Sequence, residues 1–227
     1  MERWSALGNV YLVTEGELTA EDVRSLVGDA DGIVQVLDAG HDRADVVIWN
    51  PDGSTAEMSG NATRIAARWL AEITGATEIT IQVGERATRA TVGANGEVVQ
   101  ELGPVDVTPT EEIDGLQVTR VSVGNPHAVV VGDPADIVRI GPLLETHERF
   151  PDRTNVQVAR VDGPGVVTAR VWERGVGETA SSGTSAVAVA AATHGDGRVV
   201  VRFPGGDLHV ELRGDRATLT GPAERLD

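Results

Sequence analysis

Apolar residues in this chain come in short blocks separated by Gly-, Asn- and Pro-rich punctuation, the pattern of strands and turns. Residues 8–14 and 33–37 are β-branched apolar runs and read as strands, as does Ala44–Trp49. The loop NPDGSTAEMSGN (50–61) follows. A helix is predicted from Ala62 to Ile73, because Ile65, Ala66, Trp69, Leu70 and Ile73 line one stripe at helical spacing. Gly75 suits its C-cap. Residues 78–83 and 87–92 alternate, and the turn GANGE leads into VVQEL, a run of antiparallel strands. The segment 103–115 (GPVDVTPTEEIDG) shows no period and is predicted as a linker.

Beyond it the pattern begins again. Strand 118–123 leads into GNPH and then AVVVG, and a polar, Pro-containing stretch runs to Asn155. Strand 166–172 leads into ERGVGETASSGT. A helix from Ser185 to Thr193, apolar on every side, is expected to be buried all round. Three more strands (VVVRF, DLHVEL, RATLT) close the chain. Each half thus has Gly-Asn beside a strand (Gly8-Asn9, Gly124-Asn125) and a loop ending in Ser-Gly before a helix (Ser59-Gly60-Asn61, Ser182-Gly183-Thr184). The repeat predicts two similar α/β modules facing a cleft. Their expected bounds are 1–105, completed by 218–227, and 106–217.

Composition removes whole classes of chemistry. The 227 residues include no Cys, which excludes disulfides, thiolate metal sites and cysteine nucleophiles. All 19 basic residues are Arg, so neither a Schiff-base Lys nor a Walker A Lys exists. The net charge of −16 and the lack of basic runs argue against a nucleic-acid partner. No apolar run is long enough to span a membrane, and the start lacks a signal-peptide pattern, so a cytoplasmic location is expected. No His/Asp/Glu spacing suggests a metal site.

Asparagine carries the sharpest chemical clue. Of six Asn, only Asn95 sits in an ordinary turn; Asn9, Asn50, Asn61, Asn125 and Asn155 stand near the Gly-rich loops. An amide offers donors and an acceptor without charge, which suits a zwitterionic ligand, although Asn also gathers in turns. The two Ser-Gly helix starts present N–H groups fit for a carboxylate, and equally suit plain N-capping. Glu173-Arg174 can bind an amino and a carboxylate group, or form an exposed ion pair. His127 can orient a neighbour or relay protons.

NPDGSTAEMSGNATR (50–64), GNPH (124–127) and ERGVGETASSGT (173–184) resemble the signatures of the diaminopimelate epimerase family. So do LGN (7–9), FPDRTNV (150–156), FPGGDL (203–208) and TGPAE (220–224). The resemblance implies an α/β fold of two pseudo-symmetric halves, each a curved, mostly antiparallel sheet around a central helix, with the site between them. It implies a homodimer and conversion of the small-molecule substrate LL-diaminopimelate to the meso form, for lysine and peptidoglycan precursors, without cofactor or metal. Asn9, Asn50, Asn125, Asn155, Glu173 and Arg174 would bind substrate, and Gly60-Asn61 and Gly183-Thr184 its α-carboxylate. His127 and Glu173 would sit near the proton-transfer pair. The family uses two cysteines as that pair, and Ser59 and Ser182 occupy their positions here. A thiol ionises near about 8.5, whereas a Ser hydroxyl needs an adjacent base. Lowered activity is therefore expected, since each acid–base group contributes roughly 10²–10⁴-fold. Glu57, Glu173, Glu178 or His127 could take over part of the work. The alternatives are a racemase or dehydratase of another amino acid, or an inactive amino-acid-binding homologue.

Overall fold

The computed structural model of the chain, which describes residues 1–226, places strands where apolar and polar residues alternate. One compact unit comprises residues 1–101 with the segment from Thr220 onward; the other is Leu102–Leu219. Residue 227, the last of the expected C-terminal segment, lies outside the described residues.

In the first unit, Glu2–Ala6 and Asn9–Glu15 form a hairpin that turns on Leu7 and Gly8, at φ 52° and 85°. The short helix α1 (Ala20–Leu26) leads to Gly32–Ala39, which pairs parallel with Asn9–Glu15. Arg43–Trp49 returns antiparallel, and the two-residue strand Thr55–Ala56 folds back on it. Helix α2 (Gly60–Thr74) then crosses to Glu78–Val83, parallel to Arg43–Trp49. A meander continues through Arg86–Val92 into the strand Glu97–Pro104, which pairs with it through residues 98–100.

The second unit repeats this order. Leu116–Ser122 and Pro126–Val131 form the hairpin. Helix α3 (Ile137–Glu145) leads to Asn155–Gly163, parallel to Pro126–Val131. Val166–Glu173 returns, and Gly177–Thr179 folds back on it. Helix α4 (Gly183–Thr193) crosses to Gly197–Phe203, parallel to Val166–Glu173, and Gly206–Arg213 follows antiparallel. This is the mixed α/β architecture in two like halves that the sequence pattern predicts.

Each crossing helix is the core of its unit. On α2 every residue from Gly60 to Ala67 is buried, with Trp69 and Leu70 beyond them. Full burial of an Ile or Leu side chain contributes about 1.5–3 kcal/mol. Gly75, at φ 76°, caps α2 in the left-handed region as expected. On α4 every residue from Gly183 to Ala190 is buried, as its all-round apolar character requires.

Several expectations are corrected. Ile73, placed on the buried stripe of α2, is 54% exposed, because burial of the helix ends at Leu70 and the last turn, residues 71–74, is open to solvent. The segment 103–115 is not a bare linker: Asp106–Val107 and Glu111–Ile113 pair with Leu116–Ser122. The stretch before Asn155 contains α3, and α1 lies in a stretch for which no element was expected. Among the described residues no helix is long and apolar enough to cross a membrane. Nor, among them, does any group of three or more His, Asp or Glu side chains form a metal-binding cluster.

Candidate active site

Equivalent strand positions bring the candidate residues to equivalent places in the two units. Tyr11 and His127 each lie two residues after the Asn of a Gly-Asn pair. Each also makes the first contact with the parallel neighbour, Tyr11 with Gly32 and His127 with Asn155. Asn50 and Glu173 each follow a Trp at the end of the returning strand. Ser59 and Ser182 are the N-caps of α2 and α4, both in extended backbone.

In the first unit the Ser59 hydroxyl accepts from the Ala62 N–H at 3.2 Å, a true cap. The Tyr11 Oη lies 3.4 Å from the same Ser59 Oγ. One turn inside α2, the Arg64 guanidinium is fully buried. It donates to the Gly60 carbonyl (3.2 Å), the Asn61 Oδ1 (2.8 Å) and the Pro222 carbonyl (3.5 Å). These oxygens engage each of its three nitrogens without neutralising it. Burial pushes its pKa down to about 10, while the Tyr11 phenol pulls the other way. Asn9 is buried and donates to the Ala6 carbonyl at 3.4 Å. Asn50 closes the loop before α2, donating through Nδ2 to the Ser54 hydroxyl at 3.0 Å.

In the second unit a chain of amides surrounds a buried imidazole. His127 Nε2 lies 2.9 Å from Asn125 Oδ1, and Nδ1 lies 3.0 Å from Gln157 Nε2. The neutral Nε2–H tautomer satisfies both. Burial pushes the His127 pKa down to about 3, and the nearby Arg174 charge also disfavours protonation. Asn125 Nδ2 donates to the Thr184 hydroxyl at 3.4 Å, on the first turn of α4. Gln157 also donates to the Ser185 hydroxyl, at 2.9 Å. The Ser182 side chain, in contrast to Ser59, makes no capping bond to its helix although the residue is only 4% exposed.

The loop after Val166–Glu173 is held from beneath. Asn155 donates to the Pro126 carbonyl at 2.9 Å and accepts from the Arg174 N–H at 3.0 Å. The Glu145 carboxylate, at the end of α3, accepts from the Gly175 N–H and the Trp172 indole, both at 2.7 Å, and pairs with Arg153. Burial pushes the Glu145 carboxyl up, but these donors outweigh it and hold it below the usual value. Glu173 accepts from the Thr179 hydroxyl at 2.5 Å, and Arg174 donates to the Asp152 carbonyl at 3.3 Å.

Within the first unit, then, Ser59, Gly60 and Asn61 come together at the start of α2. Within the second, Asn125 links His127 to Thr184 on the first turn of α4, beside Gly183, while Asn155 holds Arg174, which follows Glu173 at the strand end. Glu57 and Glu178 are exposed, and Glu178 is paired with Arg170. Tyr11, Arg64, Glu145 and Gln157 carry no signal of their own in the sequence. Aligning the two Gly-Asn repeats singles out Tyr11, because it takes the place of His127.

Comparison with known proteins gives a consistent answer. The sequence model of the diaminopimelate epimerase family matches residues 119–226. The diaminopimelate epimerase of Desulforudis audaxviator is 38% identical over 89% of this chain and 84% of its own. That of Synechocystis is 34% identical over 99% of this chain and 95% of its own. Among solved structures, one described as a predicted epimerase from Pseudomonas aeruginosa superposes with a TM-score of 0.78, covering 100% of this chain and 96% of the other. At 14% identity that likeness is one of fold.

Proposed function

The chain belongs to the diaminopimelate epimerase family, and on that premise we propose that it inverts an amino-acid α-carbon, converting LL- to meso-diaminopimelate. The observation that carries this reading is the repeated module, with a hydroxyl side chain at the N-cap of each buried helix. Inversion requires one group to remove the α-proton and another to return it from the opposite face. Ser59 and Ser182 are assigned these roles. The N–H groups at Gly60-Asn61 and Gly183-Thr184 receive the α-carboxylate, where the helix starts favour the charge that spreads onto it as the proton leaves. Asn9, Asn50, Asn125, Asn155, Glu173 and Arg174 bind the rest of the substrate. His127 acts by orienting Asn125, because its imidazole is held neutral by burial and engaged at both nitrogens. The chain has no Lys with which to hold pyridoxal phosphate as a Schiff base, and the proposed route needs neither cofactor nor metal.

A homodimer acting in the cytoplasm completes this reading, and light scattering on the purified protein tests the dimer. The central test is α-proton exchange of LL-diaminopimelate in D₂O, followed by NMR with chiral separation of the meso product. Exchange accompanied by inversion supports the proposal. The serines favour a second reading, a pocket that binds without turnover, which calorimetric binding with no exchange would establish. Exchange with another amino acid alone would favour a racemase or dehydratase.

A further inference from the structure

Ser59 cannot act as a base unaided, since an aliphatic hydroxyl holds its proton far too tightly. The structure puts an ionisable oxygen beside it. The chain's single tyrosine, Tyr11, places its Oη 3.4 Å from Ser59 Oγ, a long contact of the kind that tightens when a substrate closes a site. The ring lies against a residue without a side chain: a Cβ on Gly32 would come within 2.7 Å of Tyr11 Cε1 and 2.4 Å of the Trp49 carbonyl. Tyr11 pairs across the sheet with Trp4 and Gly32, neither ionisable. The buried Arg64 guanidinium on α2 interacts with it electrostatically and donates hydrogen bonds to neutral oxygens. Attraction between the two is mutual, so Arg64 favours a phenolate at Tyr11.

We propose, on the epimerase reading, that Tyr11 and Ser59 form a proton relay in which Ser59 exchanges the substrate α-proton and Tyr11 supplies or stores the compensating proton. In one direction the α C–H bond breaks, its electron pair stays on carbon, and the proton goes to Ser59 Oγ. The Ser59 hydroxyl proton passes to the Tyr11 phenolate, leaving a neutral serine and a neutral phenol. In the other direction every transfer reverses.

The test compares Tyr11→Phe, Ser59→Cys and the double variant in α-proton exchange with LL-diaminopimelate across pH. Tyr11→Phe lowers kcat by about 10²-fold or more, with little change in KM, and removes the ascending limb of the pH profile. With Ser59→Cys present, Tyr11→Phe costs little, because a thiol ionises without the phenol. Equal costs in both backgrounds, or an unchanged pH profile in Tyr11→Phe, would overturn the relay. The single tyrosine also allows a direct check by near-ultraviolet difference absorbance. The relay requires ionisation below the ordinary value of about 10. A phenol titrating at or above that value contradicts the relay even in a protein without turnover. Absence of exchange in every variant, together with such a low-titrating phenol, would count against the epimerase reading alone.

Discussion

Burial settles the protonation state of His127 before any ligand arrives. Its pKa in the folded chain, about 3, lies well below the ordinary value of about 6.5. Between those values the unfolded chain takes up a proton that the folded chain refuses, so stability rises with pH. The contribution is fully present above about pH 6.5 and is lost toward pH 3, with a slope of about 1.4 kcal/mol per unit. Denaturant melts from pH 4 to 7 should therefore show a shallower acid decline in His127→Gln, and an unchanged slope would mean the imidazole is not the group refusing the proton. Arg174 invites a second measurement. Its side chain offers a planar fork to a carboxylate, so Arg174→Ala should weaken diaminopimelate binding at least tenfold, read by calorimetry. Equal affinity would remove it from the site. At this scale the sequence was partly legible. Asn125 and the two serines announce themselves because each adjoins a glycine outside any periodic segment, and Asn155 because it closes a polar, Pro-containing stretch. Gln157 and Tyr11 do not, because each stands inside an ordinary strand pattern and gains its role from a neighbour distant in the chain.

Elements were legible where one period dominated. The stripe on α2 and the uniform apolarity of α4 both predicted buried helices, and both are buried. Helix α3 was hidden by Pro134, Gly141 and Pro142. Pro134 sits in the short 3-10 turn capped by Asp133, and Gly141 is small because a Cβ there would come within 2.7 Å of the Trp172 side chain. Pro142 lies inside α3, where it lacks the N–H that would bond to the Val138 carbonyl. Helix α1 has only seven residues, too few for a periodic signal, though the Thr19–Asp22 capping box marks its start. The value of α3 lies at its end, where Glu145 holds Trp172 and Gly175 on either side of Glu173 and Arg174. Glu145→Gln sets an amide against donor N–H groups and should cost about 2–3 kcal/mol in a denaturant melt. The Glu145 carboxyl is held below its unfolded value, so its contribution is present above about pH 4.3 and fades at lower pH. Wild-type stability in the variant would place the loop's anchor elsewhere.

At the scale of the whole chain, the repeat was the most informative feature of the sequence. Hairpin, parallel partner, return strand, short fold-back strand, buried helix and parallel crossing occur twice in the same order. That order puts Ser59 and Ser182, Asn50 and Glu173, and Tyr11 and His127 at matching positions. The matching pairs are not identical in chemistry: Ser59 caps its helix and meets a phenol, whereas Ser182 makes no cap. The net charge of −16 is a separate whole-molecule property. Self-repulsion at that charge should be relieved by salt, so the melting temperature should rise with moderate NaCl, and a fall would mean that screened ion pairs dominate.

Epimerisation at the α-carbon is the claim on which the rest depends, and deuterium uptake measures it most directly. Purified protein is incubated with LL-diaminopimelate in D₂O, the α-proton is followed by NMR, and the product is resolved chirally. A companion sample carries Ser59→Cys with Ser182→Cys. Slow exchange with meso product is expected in the wild type and much faster exchange, by about 10²-fold or more, in the double variant. Exchange in neither protein, with the substrate still bound, would contradict it.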